Sequence, residues 1–334
     1  MERLLEVKDL RTSFFTYAGE VKAVDGVSFH VDQGEAIGIV GESGCGKSVT
    51  VQTVMRLIPE PPGKIVGGSI EFLGKDIVNI SEKEMQAIRG KEMGMIFQDP
   101  MTSLNPVLTI GLQLTEVLKR HEGLSGKAAN KRAVELLNLV GISNPESRLK
   151  QFPHQFSGGM RQRVMVAMAL TCSPKLLIAD EPTTALDVTI QAQILELMRD
   201  LKNKINTSII LITHDLGIVA DLCSRVFVMY GGKIIEKGNV DDIYYHPQHP
   251  YTWGLLKSIP RLDTSEKGKL VPIPGTPPDL LNPPTGCRFA PRCEHCMQIC
   301  IEQMPEYTTI NDGHQVACWL QHPQAPKAAF EGRG

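Results

Sequence analysis

The chain has 334 residues, about twice a usual domain length, so two domains with ample buried core are expected. With 42% hydrophobic and 22% charged residues it has the composition of a globular protein, which excludes a disordered, collagenous or coiled-coil chain. Thirty-five Lys and Arg against 37 Asp and Glu leave a net charge of −2, so no global field advertises nucleic acid or an anionic membrane. No apolar run is long enough to span a bilayer, and the opening MERLLEVKDL carries charges where a signal peptide has its apolar stretch. A cytosolic location follows as the expectation.

Residues 4–10 (LLEVKDL) and 23–31 (AVDGVSFHV) alternate apolar and polar side chains, the pattern of half-buried strands. Gly19 and Glu20 offer the turn of an opening antiparallel ribbon. EAIGIV (35–40) is a short apolar run that ends in GESGCGKS and is followed by SVTVQTVMRLI with helical spacing, so strand, glycine loop and helix succeed one another. LLIAD (176–180) and TSIILITHD (207–215) are two further buried-strand candidates, each preceded by a segment long enough for a helix. Buried strands alternating with helices indicate an α/β fold with a parallel sheet covered on both faces. Between about 100 and 170, IGLQLTEVLKRH and KAANKRAVELLNLVG have helical pattern and no strand candidate, as in a helical subdomain inserted into the sheet domain. After IIEKGNV the composition shifts: more than half of the 22 prolines lie beyond residue 246, and five of the eight cysteines fall between Cys287 and Cys318. A boundary near 240 is expected, dividing 1–240 from 241–334.

Residues 41–48 fit G-x-x-x-x-G-K-[ST] without exception. The chemistry needs Gly41, Gly44 and Gly46 so that backbone N–H groups can curl round phosphates, with Glu42, Ser43 and Cys45 between them. Lys47 supplies a mobile charge at the β and γ positions, Ser48 ligates Mg²⁺, and Val49 continues into the helix. A glycine-rich turn that merely contains GKS is the bland alternative, and the flanking strand and helix weigh against it. Cys45 reads as a small loop residue. In LLIADEP an apolar strand delivers Asp180 to its C-terminal end, where it can hold Mg²⁺, and Glu181 follows, placed to orient or deprotonate an attacking water. Alone, Asp-Glu after a strand is more often a solvated strand end; behind a phosphate loop the functional reading prevails.

FSGGMRQR at 156–163 resembles the signature motif of the ATP-binding-cassette (ABC) family, and it precedes the LLIADEP segment and a TALD that matches the family's D-loop. The resemblance covers residues 4 to about 240. It implies an ABC-type P-loop nucleotide-binding domain with parallel-sheet core, antiparallel β subdomain and inserted helical subdomain. Ser157 is a good helix N-cap, and Gly158 and Gly159 expose N–H donors at the positive end of that helix. The family pattern implies that they face the γ-phosphate held by a second ATPase subunit, and Met160 departs from the glutamine usual there. The resemblance further implies that Gln98, in MIFQDP, is the Q-loop residue touching Mg²⁺ and relaying nucleotide state to a membrane partner. It also implies that His214 contacts the γ-phosphate and Asp187 the opposite subunit, and that Phe14 or Tyr17 stacks on adenine. An ordinary turn glutamine, a surface histidine and core aromatics are the bland readings of the same residues.

HPQHPYTWGLLKSIP at 246–260 and the PIPGTPPDL stretch resemble the C-terminal extension of ATPases from oligopeptide and dipeptide importers, with nickel importers carrying similar tails. Cysteines stand at 287, 293, 296, 300 and 318. In a reducing compartment their crowding reads as a metal site before disulfides. Four thiolates suit tetrahedral zinc or a [4Fe–4S] cluster. The family pattern favours Cys287, Cys293, Cys300 and Cys318 around an iron–sulfur cluster and leaves Cys296 as an extra thiol, while the C-x₂-C of Cys293 and Cys296 argues for zinc.

The expectation is an ATP- and Mg²⁺-dependent ATPase subunit of a peptide importer, peripheral on the cytoplasmic face of the membrane. It would dock on two transmembrane permease subunits, pair with itself or a paralogous ATPase, and be served indirectly by an extracytoplasmic solute-binding protein, with no nucleic-acid partner. Nickel import is the near alternative. A soluble ABC ATPase without a transport role would be expected to carry two cassettes or a long coiled-coil insertion, and a metal or redox sensor would make the cysteine cluster primary.

Overall fold

The protein is described here by a computed structural model covering residues 2–99, 103–183, 188–258 and 272–330. It contains two compact units. The phosphate-loop unit comprises residues 5–30, 37–72 and 213–334, and the helical unit comprises 1–4, 31–36 and 73–212.

In the phosphate-loop unit, β1 (Arg3–Thr16) lies between β2 (Gly19–Asp32) and β4 (Gly63–Phe72), and β1 and β4 run antiparallel with Val7 opposite Ile70. Both ribbon strands are longer than their alternating sequence suggests, and the turn falls at Tyr17–Ala18 instead of Gly19–Glu20. The extra length comes from pairing: β4 supplies backbone partners along β1 as far as Phe14, opposite Gly63. Strand β3 (Ala36–Val40) is buried along its whole length, as expected where both faces of a parallel sheet are covered. It is followed by the helix Lys47–Val54.

The helical unit contains short β5 (Lys75–Asp76) and three parallel strands in the order β6 (Met93–Ile96), β7 (Leu176–Asp180) and β8 (Ser208–Thr213). β7 and β8 are fully buried, and their apolar runs are the two read from the sequence. Between β6 and β7 come the helices Ile110–Glu122, Gly126–Leu139 and Gly158–Ala169, with no strand among the described residues. Ile110–Glu122 starts at the N-cap Thr109, ends at left-handed Gly123, and carries Lys119, Arg120 and His121 in its last turn, where the helix dipole favours cations.

Returning to the phosphate-loop unit, β9 (Arg225–Tyr230) runs parallel to β3, and β10 (Lys233–Asn239) forms a hairpin with β9. Two strands past residue 240 return to this sheet. β12 (His314–Val316) pairs with β10, and β11 (Thr308–Asn311) pairs with β12. The attachment is reinforced by Glu236 on β10, which is wholly buried. Its carboxylate accepts from Gln248 N–H (2.6 Å), His249 N–H (3.1 Å) and the Thr252 hydroxyl (2.5 Å), and is 2.9 Å from His314 Nε2. A buried carboxylate persists only when hydrogen-bonded in this way. Among the described residues no helix is long and apolar enough to cross a membrane.

His249 caps the helix Pro250–Lys257 by accepting the Tyr251 N–H at Nδ1 (3.0 Å). Burial without a charged partner pushes its pKa down to about 3. Because the unfolded chain binds a proton near pH 6.5 and the folded one does not, stability is full above pH 6.5 and is lost as pH falls from there toward 3. Between pH 7 and pH 5 the wild type should lose about 2 kcal/mol more than His249→Asn, which keeps a capping oxygen and has no titrating ring. Paired urea titrations at the two pH values measure this; equal losses would remove His249 from the acid response.

Candidate nucleotide site

The loop Gly41–Ser48 leaves the buried end of β3 and enters its helix at Gly46, which is left-handed at φ 100°. Gly41 (φ 152°) and Gly44 (φ 77°) have backbone angles that side chains resist. Two of the three glycines are also hemmed in by main chain. A Cβ on Gly41 would lie 2.2 Å from Met229 O, and one on Gly46 2.4 Å from Ala23 O. Ser43 and Gly44 are exposed at the loop's outer edge, Ser48 and Val49 are half-buried, and Cys45 is packed inside. Burial raises the Cys45 thiol's pKa, more than its neighbour Lys47 can lower it, which supports a packing role. The buried Lys47 ammonium donates to Gly41 O (2.8 Å) and Glu42 O (2.9 Å), with Cys45 Sγ a weak third partner at 3.8 Å. The lysine charge is thus fixed over the loop that would hold phosphate.

In the helical unit, β7 delivers Asp180, buried, to its last position. Glu181 follows in a left-handed conformation, φ 46°, unusual for a residue with a side chain and costing about 1 kcal/mol. Its N–H donates to Ile212 O (2.9 Å) on β8, and its carboxylate accepts from Gln98 Nε2 at 2.9 Å. The structure therefore brings together Gln98 and Glu181, 83 residues apart in the chain, at the ends of neighbouring strands β6 and β7. Ser157 caps the helix Gly158–Ala169, its hydroxyl accepting from Met160 N–H at 3.3 Å, and Ser157 and Gly158 are exposed. Farther along that helix the buried Gln162 donates to Pro182 O at 2.5 Å, tying the Ser157-capped helix to the segment after Glu181. Asp187 lies outside the described residues. His214, exposed, follows β8. Phe14 is half-buried over Gly63, and Tyr17, in the turn, is fully exposed.

Sequence reasoning gave Glu42 no role beyond the loop, and it missed Arg292 and Tyr251. Arg292 pairs with the Glu42 carboxylate through two contacts (2.6 and 3.1 Å), and the Tyr251 hydroxyl accepts the Glu42 N–H (2.7 Å). Nothing in the local pattern APRCEHC marks its arginine as buried. Nearby, burial pushes the Asp25 carboxyl up, but Lys233, Arg288 and Arg11 outweigh that and hold it below its ordinary value.

Burial raises the pKa of Cys287 and Cys293 to about 11 and of Cys318 to about 12, and each also feels neighbouring thiols. Cys287 N–H donates to Cys300 O (2.7 Å). Cys296 is the exposed member. Soft sulfur donors suit zinc or iron–sulfur chemistry. Yet among the described residues no three His, Cys, Asp or Glu side chains are spaced to hold an ion.

This strand, loop and helix with its partner strands is the nucleotide-binding cassette of ABC transporters, whose family model matches residues 24–184. The model of the oligopeptide/dipeptide transporter C-terminal region matches residues 235–300. The chain is 65% identical to the oligopeptide transport ATP-binding protein OppD of Bacillus subtilis over 97% of its own length and 91% of that protein. It is 57% identical to the dipeptide transport ATP-binding protein DppD of the same organism, over 99% of both chains. A solved dimeric ATP-binding cassette in a post-hydrolysis state, bound to ADP and Pi, superposes with a TM-score of 0.64 at 26% identity, covering 71% of this chain and 99% of that one. The chain belongs to the ATP-binding proteins of the ABC transporter family, in the branch that carries the oligopeptide/dipeptide C-terminal region.

Gly46→Ala should cost about 2–4 kcal/mol, since it adds a backbone clash to a left-handed angle. Gly44→Ala, with nothing within 4 Å of its Cβ, should cost only the conformational ~1–2 kcal/mol. Urea midpoints for the two variants distinguish these; equal destabilisation would mean the close approach to Ala23 O is not limiting.

Proposed function

We propose that this chain is the ATP-hydrolysing subunit that drives import of dipeptides or oligopeptides through membrane permease partners. The observation that carries the reading is full-length likeness to peptide transport ATP-binding proteins, C-terminal region included. Those relatives are named for peptides, which favours peptide over nickel as cargo. Residues 1–240 are taken as the cassette and 241–334 as its extension.

In the proposed mechanism the N–H groups of Gly41–Ser48 and the Lys47 ammonium hold the β- and γ-phosphates, and one of Phe14 and Tyr17 stacks on adenine, the exposure of Tyr17 supporting the latter. Ser48, Asp180 and Gln98 offer oxygen donors, the chemistry Mg²⁺ prefers. Bound there, Mg²⁺ would neutralise charge developing on the phosphates. Glu181 is assigned the attacking water as general base, and His214 the γ-phosphate. The hydrogen bond from Gln98 supports Glu181's role: an amide donor keeps a carboxylate oriented without protonating it. Ser157, Gly158 and Gly159 at an exposed helix N-terminus are assigned to nucleotide on a second ATPase subunit, with Asp187 beside it. Nucleotide-driven closure and reopening of that pair would be passed to two permeases through the Gln98 segment and helical unit, with a solute-binding protein outside choosing the peptide.

A metal centre in the extension is a second, structural assignment. It rests on the crowding of Cys287, Cys293, Cys300 and Cys318 in the sequence, since among the described residues these side chains are not spaced to hold an ion. An iron–sulfur cluster is favoured over zinc, and either would add folding energy to a Pro-rich segment with little core. Anaerobically purified protein should contain iron and acid-labile sulfide; one zinc per chain would replace the cluster with zinc, and protein free of both metals would end this assignment.

Glu181→Gln should keep ATP affinity and slow hydrolysis by roughly 10²- to 10⁴-fold, whereas Lys47→Ala should weaken ATP binding itself. Calorimetric ATP titration beside single-turnover hydrolysis tests both. Unchanged turnover in the glutamine variant would remove Glu181 as the base.

A further inference from the structure

The phosphate loop is gripped by the C-terminal extension through one residue, Glu42. Its carboxylate meets the Arg292 guanidinium in a two-point contact, Nη1 to Oε2 at 2.6 Å and Nη2 to Oε1 at 3.1 Å. The remaining guanidinium donors are also used. Nη1 reaches the Tyr230 hydroxyl (3.2 Å), Nη2 reaches Ile273 O (3.1 Å), and Nε reaches Pro274 O (2.8 Å). All five N–H groups of the fork therefore have acceptors, which fixes its plane. The cation lies 5.8 Å from the Tyr230 ring centre and 5.9 Å from that of Phe289, and Arg292 is buried. A bidentate pair whose guanidinium is buried and fully satisfied is stiffer than a surface ion pair.

The main chain of the same residue is held as well. Glu42 N–H donates to the Tyr251 hydroxyl at 2.7 Å, and Tyr251 is wholly buried in the helix Pro250–Lys257. The Tyr251 ring packs against Tyr230 and Phe289, with centroids 4.5 and 5.4 Å apart. Glu42 O in turn accepts from Lys47 Nζ. Side chain, N–H and carbonyl of a single loop residue are thus each engaged, two of the three by the extension. Loop conformation determines where its N–H groups and the Lys47 charge point, and those are the groups a phosphate needs.

We propose that Arg292, assisted by Tyr251, is a positioning residue for the phosphate loop, so that the order of the Cys/Pro-rich extension and ATP affinity are thermodynamically coupled. This rests on the reading of Gly41–Ser48 as the ATP loop. Arg292 touches no phosphate; it acts through Glu42. It is also the residue before Cys293, in the short helical turn Ala290–Arg292 that joins Cys287 to Cys293. Whatever orders those cysteines therefore orders the guanidinium. Coupling is reciprocal, so ATP must steady the extension as much as the extension steadies the loop.

The test uses the full chain, with ATP as the probe. Arg292→Gln, Glu42→Gln and the double variant are titrated with ATP by calorimetry, and ATP turnover is measured alongside. Each single variant should raise the ATP Kd and KM about tenfold, with kcat at saturation within threefold, and the double variant should be no weaker than the worse single one. Tyr251→Phe, which removes one oxygen and keeps the ring, should raise KM about threefold; it stands in if Arg292→Gln fails to fold. Hydrogen exchange in residues 287–300 of the wild type should slow when ATP is added. Folded variants with Kd and KM within twofold of wild type, a double variant whose losses add, a fall in kcat with unchanged KM, or exchange at 287–300 indifferent to ATP would each overturn the coupling. Wild-type chain that binds no ATP would overturn the underlying reading of the loop instead.

Discussion

The conformation of Gly41–Ser48 is the constraint on which the rest depends. A loop that presents consecutive N–H groups to phosphate must adopt backbone angles that side chains resist, and at Gly41 and Gly46 it must also run within touching distance of the carbonyls of Met229 and Ala23. Strand β3 supplies the rigid, wholly buried launching point, and β9, paired to it in parallel, brings Met229 to the loop. The loop is therefore defined by surrounding main chain as much as by its own glycines. That explains why the phosphate-loop unit gathers three stretches of sequence that lie far apart.

Charge placement follows the same logic. Lys47 is held by carbonyls of its own loop, and Glu42 by a buried arginine from the far end of the chain. In the helical unit the carboxylate of Glu181 is held by Gln98, and strained φ at Glu181 aims it off the end of β7. Backbone strain of this kind persists only where neighbours over-determine it, here through the Glu181 N–H to β8 and the Gln98 amide. Lys47, Glu42 and Glu181 thus each have hydrogen-bond partners that restrict their motion.

The extension beyond residue 240 is bound to the sheet by strand pairing and by the buried carboxylate of Glu236. A Pro-rich segment of this size buries little apolar surface of its own and depends on such anchors. The His249 N–H, the Thr252 hydroxyl and His314 Nε2 all converge on that carboxylate, while Tyr251 and Arg292 extend the contact to the loop.

Local sequence determined the elements whose signal is short-range. The apolar runs before GESGCGKS, in LLIAD and in TSIILIT became fully buried strands because only the interior of a covered parallel sheet accommodates them, and Ser157 capped its helix as its hydroxyl and following glycines required. The order of motifs likewise made the cassette legible. Ribbon length was decided by pairing with β4, which no alternation in β1 reveals. The Gln98–Glu181 contact, the engagement of Glu42 by Arg292 and Tyr251, and the return of β12 to β10 join residues from 78 to 250 positions apart. Such contacts leave no periodicity behind, because an arginine or tyrosine that ends in the interior has the same local spacing as one that ends in water. Only the closed tertiary structure decides which acceptor it meets.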